Sequence, residues 1–398
     1  MNESRLKTIL KETNFLMLLL CIVTSAFGVL AVASATMSSN PPGQLFGRDA
    51  TVMMAAIGIG VVLCVFISLL DYEVLLRPWF IISIAAFCIV IMLLLKVPGI
   101  GAAPTGREDS QVWIQFGSIF FQPSELVKIG FVMTFSAHIA AVGDEINRIP
   151  KLALLAVHGA VFIGLVTLTG DMGSALVFIA IFGGLLFMAG VKWYYFLAAI
   201  LLVGAALPVA WLKVFSTFQK ERFIAVYPNF FAALGQSISP ERFSDVIYQQ
   251  QMGVNAISGG GLLGQGLFNG AYTQSNAVPV SENDMIFSVI GEELGFVGVA
   301  GLLALLTAII LCCLVAARKS RDNAGKLICG GIALMLGVQA VINIGMCMKF
   351  LPCIGITLPF ISAGGSSNLC VWLGVGLVMS VSRYSWENGP TRVRFIRR

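Results

Sequence analysis

Residues 14–35 read NFLMLLLCIVTSAFGVLAVASA, 22 positions without a charge. At helical rise such a run reaches about 33 Å, enough to cross a hydrocarbon core of roughly 30 Å. Arg5, Lys7 and Lys11 precede it, and Ala33-Ser34-Ala35 closes it like a signal-peptidase site. A cleavable signal has an apolar stretch of only about 7 to 15 residues, so the segment predicts a retained anchor. Nine more apolar segments follow, at 50–70, 76–95, 118–142, 152–168, 171–190, 193–213, 285–316, 326–347 and 358–382. Alternating strand patterns are absent, and 58% of the 398 residues are hydrophobic against 11% charged, a ratio no small core under a charged skin can hold. The predicted fold is an all-α integral membrane protein of about ten transmembrane helices. Residues 1–398 form one polytopic domain, with a single large extracytoplasmic loop, 214–283, between spans seven and eight.

The charges orient the bundle. With the N-terminus inside, most of the 25 Lys and Arg residues fall in the N-terminal tail, the even-numbered loops and the tail holding Arg392, Arg394, Arg397 and Arg398. Cytoplasmic loops favour Lys and Arg, so both termini are predicted cytoplasmic and the 214–283 connection faces outward. The net charge of +5 is then a topology signal, and the scatter of basic residues along membrane edges argues against nucleic-acid binding. None of the nine cysteines forms a Cys-x-x-Cys pair, which reads as structural thiols. Cys353 alone is placed in an outer loop, close to Cys347.

Ionisable groups are costly in hydrocarbon, so each one within a span is a candidate for function. Glu125 and Lys128, in Gln122-Pro123-Ser124-Glu125-Leu126-Val127-Lys128, share a helix face and can pair, either to hold two helices or to serve a site. Asp171, in Gly170-Asp171-Met172-Gly173-Ser174, is placed to cap a helix N-terminus. His138 and His158 read as solitary core histidines without metal-ligand spacing. Around the eighth span, Ser288, Gly291, Gly295 and Gly298 fall within about 40° of Asp284. That bare strip admits either a closely packed helix or a groove for a lipid chain whose polar head meets Asp284. Glu293 projects to nearly the opposite side, and Glu292-Glu293 are expected in structural hydrogen bonds in the inner half of the membrane.

The 214–283 connection combines Lys220, Arg222 and Arg242 with Tyr248-Gln249 and the run Gly259-Gly260-Gly261-Leu262-Leu263-Gly264-Gln265-Gly266. A phosphate-cradling P-loop fails, because no Gly-Lys-Ser/Thr follows. A loop of this length among otherwise short connections reads as functional.

These pieces, in this order, resemble the SEDS family of shape, elongation, division and sporulation proteins, the FtsW/RodA/SpoVE group. The resemblance covers most of the chain. It rests on Trp113-Ile114 with Gln122-Pro123-Ser124-Glu125; Asp171-Met172-Gly173; Gln219 with Arg222; Tyr248-Gln249 and the glycine run; Asp284-Met285-Ile286-Phe287 with Glu292-Glu293-Leu294-Gly295; and Leu358-Pro359-Phe360-Ile361-Ser362-Ala363-Gly364-Gly365-Ser366-Ser367.

The resemblance implies a peptidoglycan glycosyltransferase of the bacterial cytoplasmic membrane that polymerises lipid II into undecaprenyl-linked glycan, for division, elongation or sporulation. It also implies a class B penicillin-binding protein as transpeptidase partner. The family's catalytic carboxylate falls on Asp284, its span-four pair on Glu125 and Lys128, and its loop arginine on Arg222. Gln122, Tyr248, Gln249 and Ser366 join the expected substrate-binding set, with Asp171, Glu292 and Glu293 in supporting roles. An inverting displacement needs a general base, assigned to Asp284, and positive charge at the departing pyrophosphate, assigned to Arg222 and Lys128. No cofactor is required by the sequence. A divalent Mg or Mn ion could assist, with Asp284 and Glu282 as its carboxylates. The chain departs from the family pattern at Val112, where an arginine is usual, at Val280 and Glu282 in place of Glu and His, at Gly170 in place of proline and at Ala363 in place of tyrosine. Glu282 makes the outer site more acidic. The alternatives are a lipid II flippase or transporter, against which the lack of internal repeats weighs, and a non-catalytic scaffold for a penicillin-binding protein.

Overall fold

The computed structural model describes residues 14–41, 43–103, 110–117, 119–213 and 215–387. In chain order its main helices are α1 (Phe15–Thr36), α2 (Arg48–Leu69), α3 (Pro78–Leu94), α4 (Pro123–Val142), α5 (Ile149–Leu168), α6 (Met172–Met188), α7 (Trp193–Lys213), α8 (Thr217–Val226), α9 (Pro240–Gly260), α10 (Ile286–Lys319), α11 (Asn323–Cys347) and α12 (Gly365–Glu387). Each predicted apolar segment lies on one of α1–α7 or α10–α12. Among the described residues eight of these are long and apolar enough to cross a membrane. The other two, α3 and α6, have 17 residues each, a rise of about 26 Å at the short end of the spanning range. The chain is a multi-pass membrane protein.

Two predicted boundaries move, and a small sheet appears that hydropathy did not signal. Strands β1 (Gly101–Ala102), β2 (Trp113–Phe116) and β3 (Ile119–Phe121) form an antiparallel sheet in the order β1-β2-β3. The expected span from 118 therefore becomes helical only at Pro123, whose fixed φ suits a first helical turn. The expected span from 358 starts as turns. Phe360 has φ +67°, the Leu358 amide donates to Ser362 Oγ (2.8 Å), and α12 begins at Gly365.

Small residues set the tightest helix contacts. α2 runs against α12 so closely that a Cβ on Gly376 would lie 2.9 Å from the Cα of Cys64, the approach bare backbone allows between membrane helices. α11 is packed by α4, α6, α10 and α12. All nine cysteines are free thiols.

α10 is two helices joined at Gly295, whose φ of 62° and ψ of −160° interrupt the ladder. The connection before it repairs the interruption. Gln265 N and Gly266 N donate to the carbonyls of Glu292 (3.0 Å) and Glu293 (2.9 Å), while Phe296 N and Val297 N donate to those of Gly261 (2.9 Å) and Leu262 (3.1 Å). Loop and helix thus exchange hydrogen-bond partners, so the Glu292 and Glu293 carbonyls and the Phe296 and Val297 amides at the break are paired. The predicted bare strip is filled here. A Cβ on Gly291 would meet Ile257 of α9 at 3.0 Å, and one on Gly260 would strike the Gly291 carbonyl at 1.9 Å. At these residues the strip serves close packing of α9 on α10, the first of the two alternatives.

Candidate active site

One cavity of about 340 Å³ opens at the end of the bundle where α4, α6 and α12 begin. Its wall is built from Val112 and Trp113 in and beside β2, Gln122, the Gly170–Met172 turn, Phe218, Gln219 and Arg222 on α8, and Gln249 on α9. Val280, Asn283 and Asp284 ahead of α10, the 353–357 strap, and Gly364, Ser366 and Ser367 at the head of α12 complete it. The N-termini of α4, α6 and α12 therefore converge on it, and such ends carry partial positive charge that favours anions.

Asp284 lies just ahead of α10, which starts at Ile286, at the junction of the long connection and the span. Its carbonyl accepts from Asn343 Nδ2 of α11 (2.9 Å), which also donates to the Ile356 carbonyl (2.7 Å). Cys347 Sγ, one turn along, reaches the same Asp284 carbonyl at 3.4 Å. The neighbouring backbone is held as tightly: Ser362 Oγ donates to the Asn283 carbonyl (2.7 Å) and Ala363 N to that of Glu282 (2.9 Å). Val280 is turned to φ +54°, a left-handed conformation that costs a β-branched residue about 1–3 kcal/mol and persists only where the surroundings impose it.

Arg222 comes from α8, which Ser216 and Gln219 start with a reciprocal capping box. Its guanidinium stacks over the Phe218 ring, 4.3 Å from the centroid, and donates to the Cys353 carbonyl. Gln249 joins α9 to the same strap by accepting from Cys353 Sγ (3.4 Å), and to the segment ahead of α10 by donating to the Pro279 carbonyl (3.0 Å).

Asp171 caps α6 as predicted, accepting from Ser174 N (2.9 Å), and its other oxygen takes Gln122 Nε2 and Ser124 Oγ, each at 2.9 Å. Ser366 Oγ accepts from Gln122 N (3.1 Å). The cavity thus gathers Asp284, Arg222, Gln122, Gln249, Ser366 and Asp171 from the predicted set.

Other predicted residues stand apart from its wall. Glu125 and Lys128 pair at 2.7 Å, 5% and 0% exposed, inside the bundle on α4. Tyr248, on α9, is exposed and does not line the wall. Glu282 is half-buried, and desolvation, aided by the Asp49 carboxylate, pushes its acid above the usual range. The Glu292-Glu293 pair makes structural hydrogen bonds, as expected, but against the long connection and not in the half of the span away from it. Glu292 accepts from the amides of Tyr272 (2.7 Å) and Thr273 (3.0 Å), and Glu293 from Phe268 N (3.2 Å), Gly270 N (3.4 Å) and Ser34 Oγ (2.6 Å). His138 and His158 are not solitary: their Nδ1 atoms lie 3.0 Å apart between α4 and α5. Among the described residues no cluster of three or more His, Cys, Asp or Glu side chains has metal-holding geometry.

Sequence reasoning missed Asn343 and Ser362, the two side chains that fix the Asp284 loop. Asn343 had a readable signal, an amide within an apolar span. Ser362 had none.

Residues 14–387 match the FtsW/RodA/SpoVE family model, described as cell cycle proteins. The probable peptidoglycan glycosyltransferase FtsW of Geobacter metallireducens is 30% identical over 380 residues, 94% of this chain and 95% of its own. Peptidoglycan glycosyltransferase MrdB of Escherichia coli K12 is 31% identical over 370 residues, 92% of each. Among solved structures, a chain from a peptidoglycan synthase complex, described as structurally coordinating polymerization and crosslinking, superposes with a TM-score of 0.75 at 25% identity, covering 94% of this chain and 99% of that one. The rod shape determining protein RodA of Thermus thermophilus, as an Asp-to-Ala variant, gives 0.66 at 25% identity with the same coverage.

Proposed function

Because this chain belongs to the FtsW/RodA/SpoVE family, we propose that it is a peptidoglycan glycosyltransferase that polymerises lipid II at the outer face of the cytoplasmic membrane, with both termini inside. The observation that carries this reading is that Asp284 and Arg222, from opposite ends of the long connection, line one cavity. The donor sugar is linked α to a pyrophosphate and becomes β-linked to the acceptor hydroxyl, which a single in-line displacement accomplishes. Asp284 takes the proton of the acceptor hydroxyl as the new glycosidic bond forms. Arg222 and the amides at the head of α12 receive the pyrophosphate as its bond to the sugar breaks. The buried Lys128 is a support of the α4 wall in this scheme.

The donor set does not make a protein cage for a metal, since Glu282 is outside the wall and both Asp171 oxygens already accept hydrogen bonds. A Mg or Mn ion, which takes one or two carboxylates and fills its shell with substrate phosphates, would be held by Asp284 and the pyrophosphate and would add charge neutralisation there. The partner is a class B penicillin-binding protein that cross-links the product.

One observation favours a second reading. Three of the departures from the family pattern, Val112, Gly170 and Val280, lie on the cavity wall, where a non-catalytic scaffold would accumulate them. Purified chain, with and without its partner, is to be given lipid II and assayed for glycan strands beside Asp284→Ala. Polymer from the native chain alone supports the enzyme. A stable partner complex with no polymer from either chain replaces it with the scaffold.

A further inference from the structure

The connection that hydropathy places in water contains the longest uncharged stretch outside the spans. From Val246 to Ser281, 36 residues pass without an acidic, basic or histidine side chain. A loop bathed in solvent has no reason to avoid charge over that length.

Its lowest point is the turn after α9. α9 runs parallel to the leading turns of α10, with Gly253 beside Ser288 and Gly260 against the Gly291 carbonyl. The chain therefore descends along α10 toward the Gly295 break, turns at Leu262-Leu263, and climbs back to the Glu292 and Glu293 clamps. Leu262 and Leu263 are 73% and 79% exposed, and the first residues of α10 below the break, Phe296 and Val297, are 64% and 59% exposed. These four apolar side chains belong to backbone joined by the exchanged hydrogen bonds, so the leucine tip continues the outward face of α10. Below the break α10 runs 24 residues, from Phe296 to Lys319, about 36 Å, which suffices to cross the membrane and puts Gly295 at its outer boundary.

We propose that the Leu262-Leu263 turn is a re-entrant tip seated among the acyl chains of the outer leaflet. Hydrocarbon admits irregular backbone only where its polar groups find partners within the protein, and the exchange at Gly295 supplies those partners to the Gly261 and Leu262 carbonyls and the Gln265 and Gly266 amides. The occupant is lipid because the exposed leucines extend a helix face that already meets lipid and carry no charge for a water-facing partner to read. The tip fixes the depth of α9, and with it Gln249 on the cavity wall. The inference stands whether or not the chain polymerises glycan.

The test is the depth of a nitroxide on Leu263→Cys in the full-length chain, reconstituted in vesicles of phosphatidylethanolamine and phosphatidylglycerol. Eight of the nine native cysteines are buried, and the unsubstituted chain, treated alike, gives the background. The ratio of oxygen to water-soluble nickel-chelate collisions should match that of a label at Phe296→Cys and exceed that at Glu241→Cys, an exposed position at the start of α9. Leu262→Cys repeats the measurement should the first variant not fold. A ratio equal to that at Glu241→Cys overturns the proposal, and so does exclusion of both reagents, which would mean that protein covers the tip.

Discussion

α11 and α7 are both apolar helices, of 25 and 21 residues, yet 72% of the most apolar window of the first is buried and none of the second. Hydropathy records what the bilayer accepts, and both pass. What separates them is the small and polar residues that only a protein neighbour can use. α11 carries Gly330 and Gly331, whose absent side chains make room for Met188 and Val132, and Asn343, which grips the Asp284 loop. α7 offers Gly204, with no atom near its missing Cβ, and otherwise presents leucines, valines and aromatics outward. The Asp284 backbone is thus held from within the packed wall, whereas α7 serves to lead the chain to α8 and Arg222.

The contrast can be broken hardest within the wall. Lys128→Met strands the buried Glu125 carboxylate, and removal of one partner of such a pair costs about 3–5 kcal/mol. The melting temperature in detergent should fall sharply, and Glu125→Leu added to Lys128→Met should recover most of the loss. An unchanged melting temperature in the single variant would place that pair outside the load of the fold. Asn343→Leu comes next. It leaves the Ile356 carbonyl without its donor and the Asp284 carbonyl with only the weak Cys347 thiol, at about 1–3 kcal/mol for an unsatisfied buried group, and should depress glycan formation further than it depresses the melting temperature. Equal losses in both would make Asn343 a packing residue only. Least of all, Leu202→Ala on α7, at a side chain 71% exposed, should move stability by less than about 0.5 kcal/mol. A larger shift would reveal a protein neighbour on that face.

How far the sequence could be read follows the same division. The run at 14–35 and its successors declared the helices because the bilayer imposes length and apolarity locally. Asp171 was legible as a cap because its partner amide is three residues away. Asp284 and Arg222 were legible through the family motifs, which also implied that they serve one site; the residues by themselves did not say so, because 61 residues of connection lie between them and only packing closes that distance. The strip of Ser288, Gly291 and Gly295 was seen correctly as bare. Which neighbour fills it depends on α9 folding back, and nothing in the periodicity of α10 reports that. Glu292 and Glu293 were misplaced for the same reason, since the amides they accept from belong to a segment about 20 residues upstream in the chain.

The exchange of partners around Gly295 turns a glycine-rich stretch into a segment of fixed length. Two amides at Gln265 and Gly266 and two carbonyls at Gly261 and Leu262 must arrive in register with the four helix groups they answer. One residue more or one fewer between them would mismatch both halves at once. Insertions and deletions should be better tolerated elsewhere in the long connection, and a stretch whose composition suggests a pliable linker is instead a spacer cut to measure.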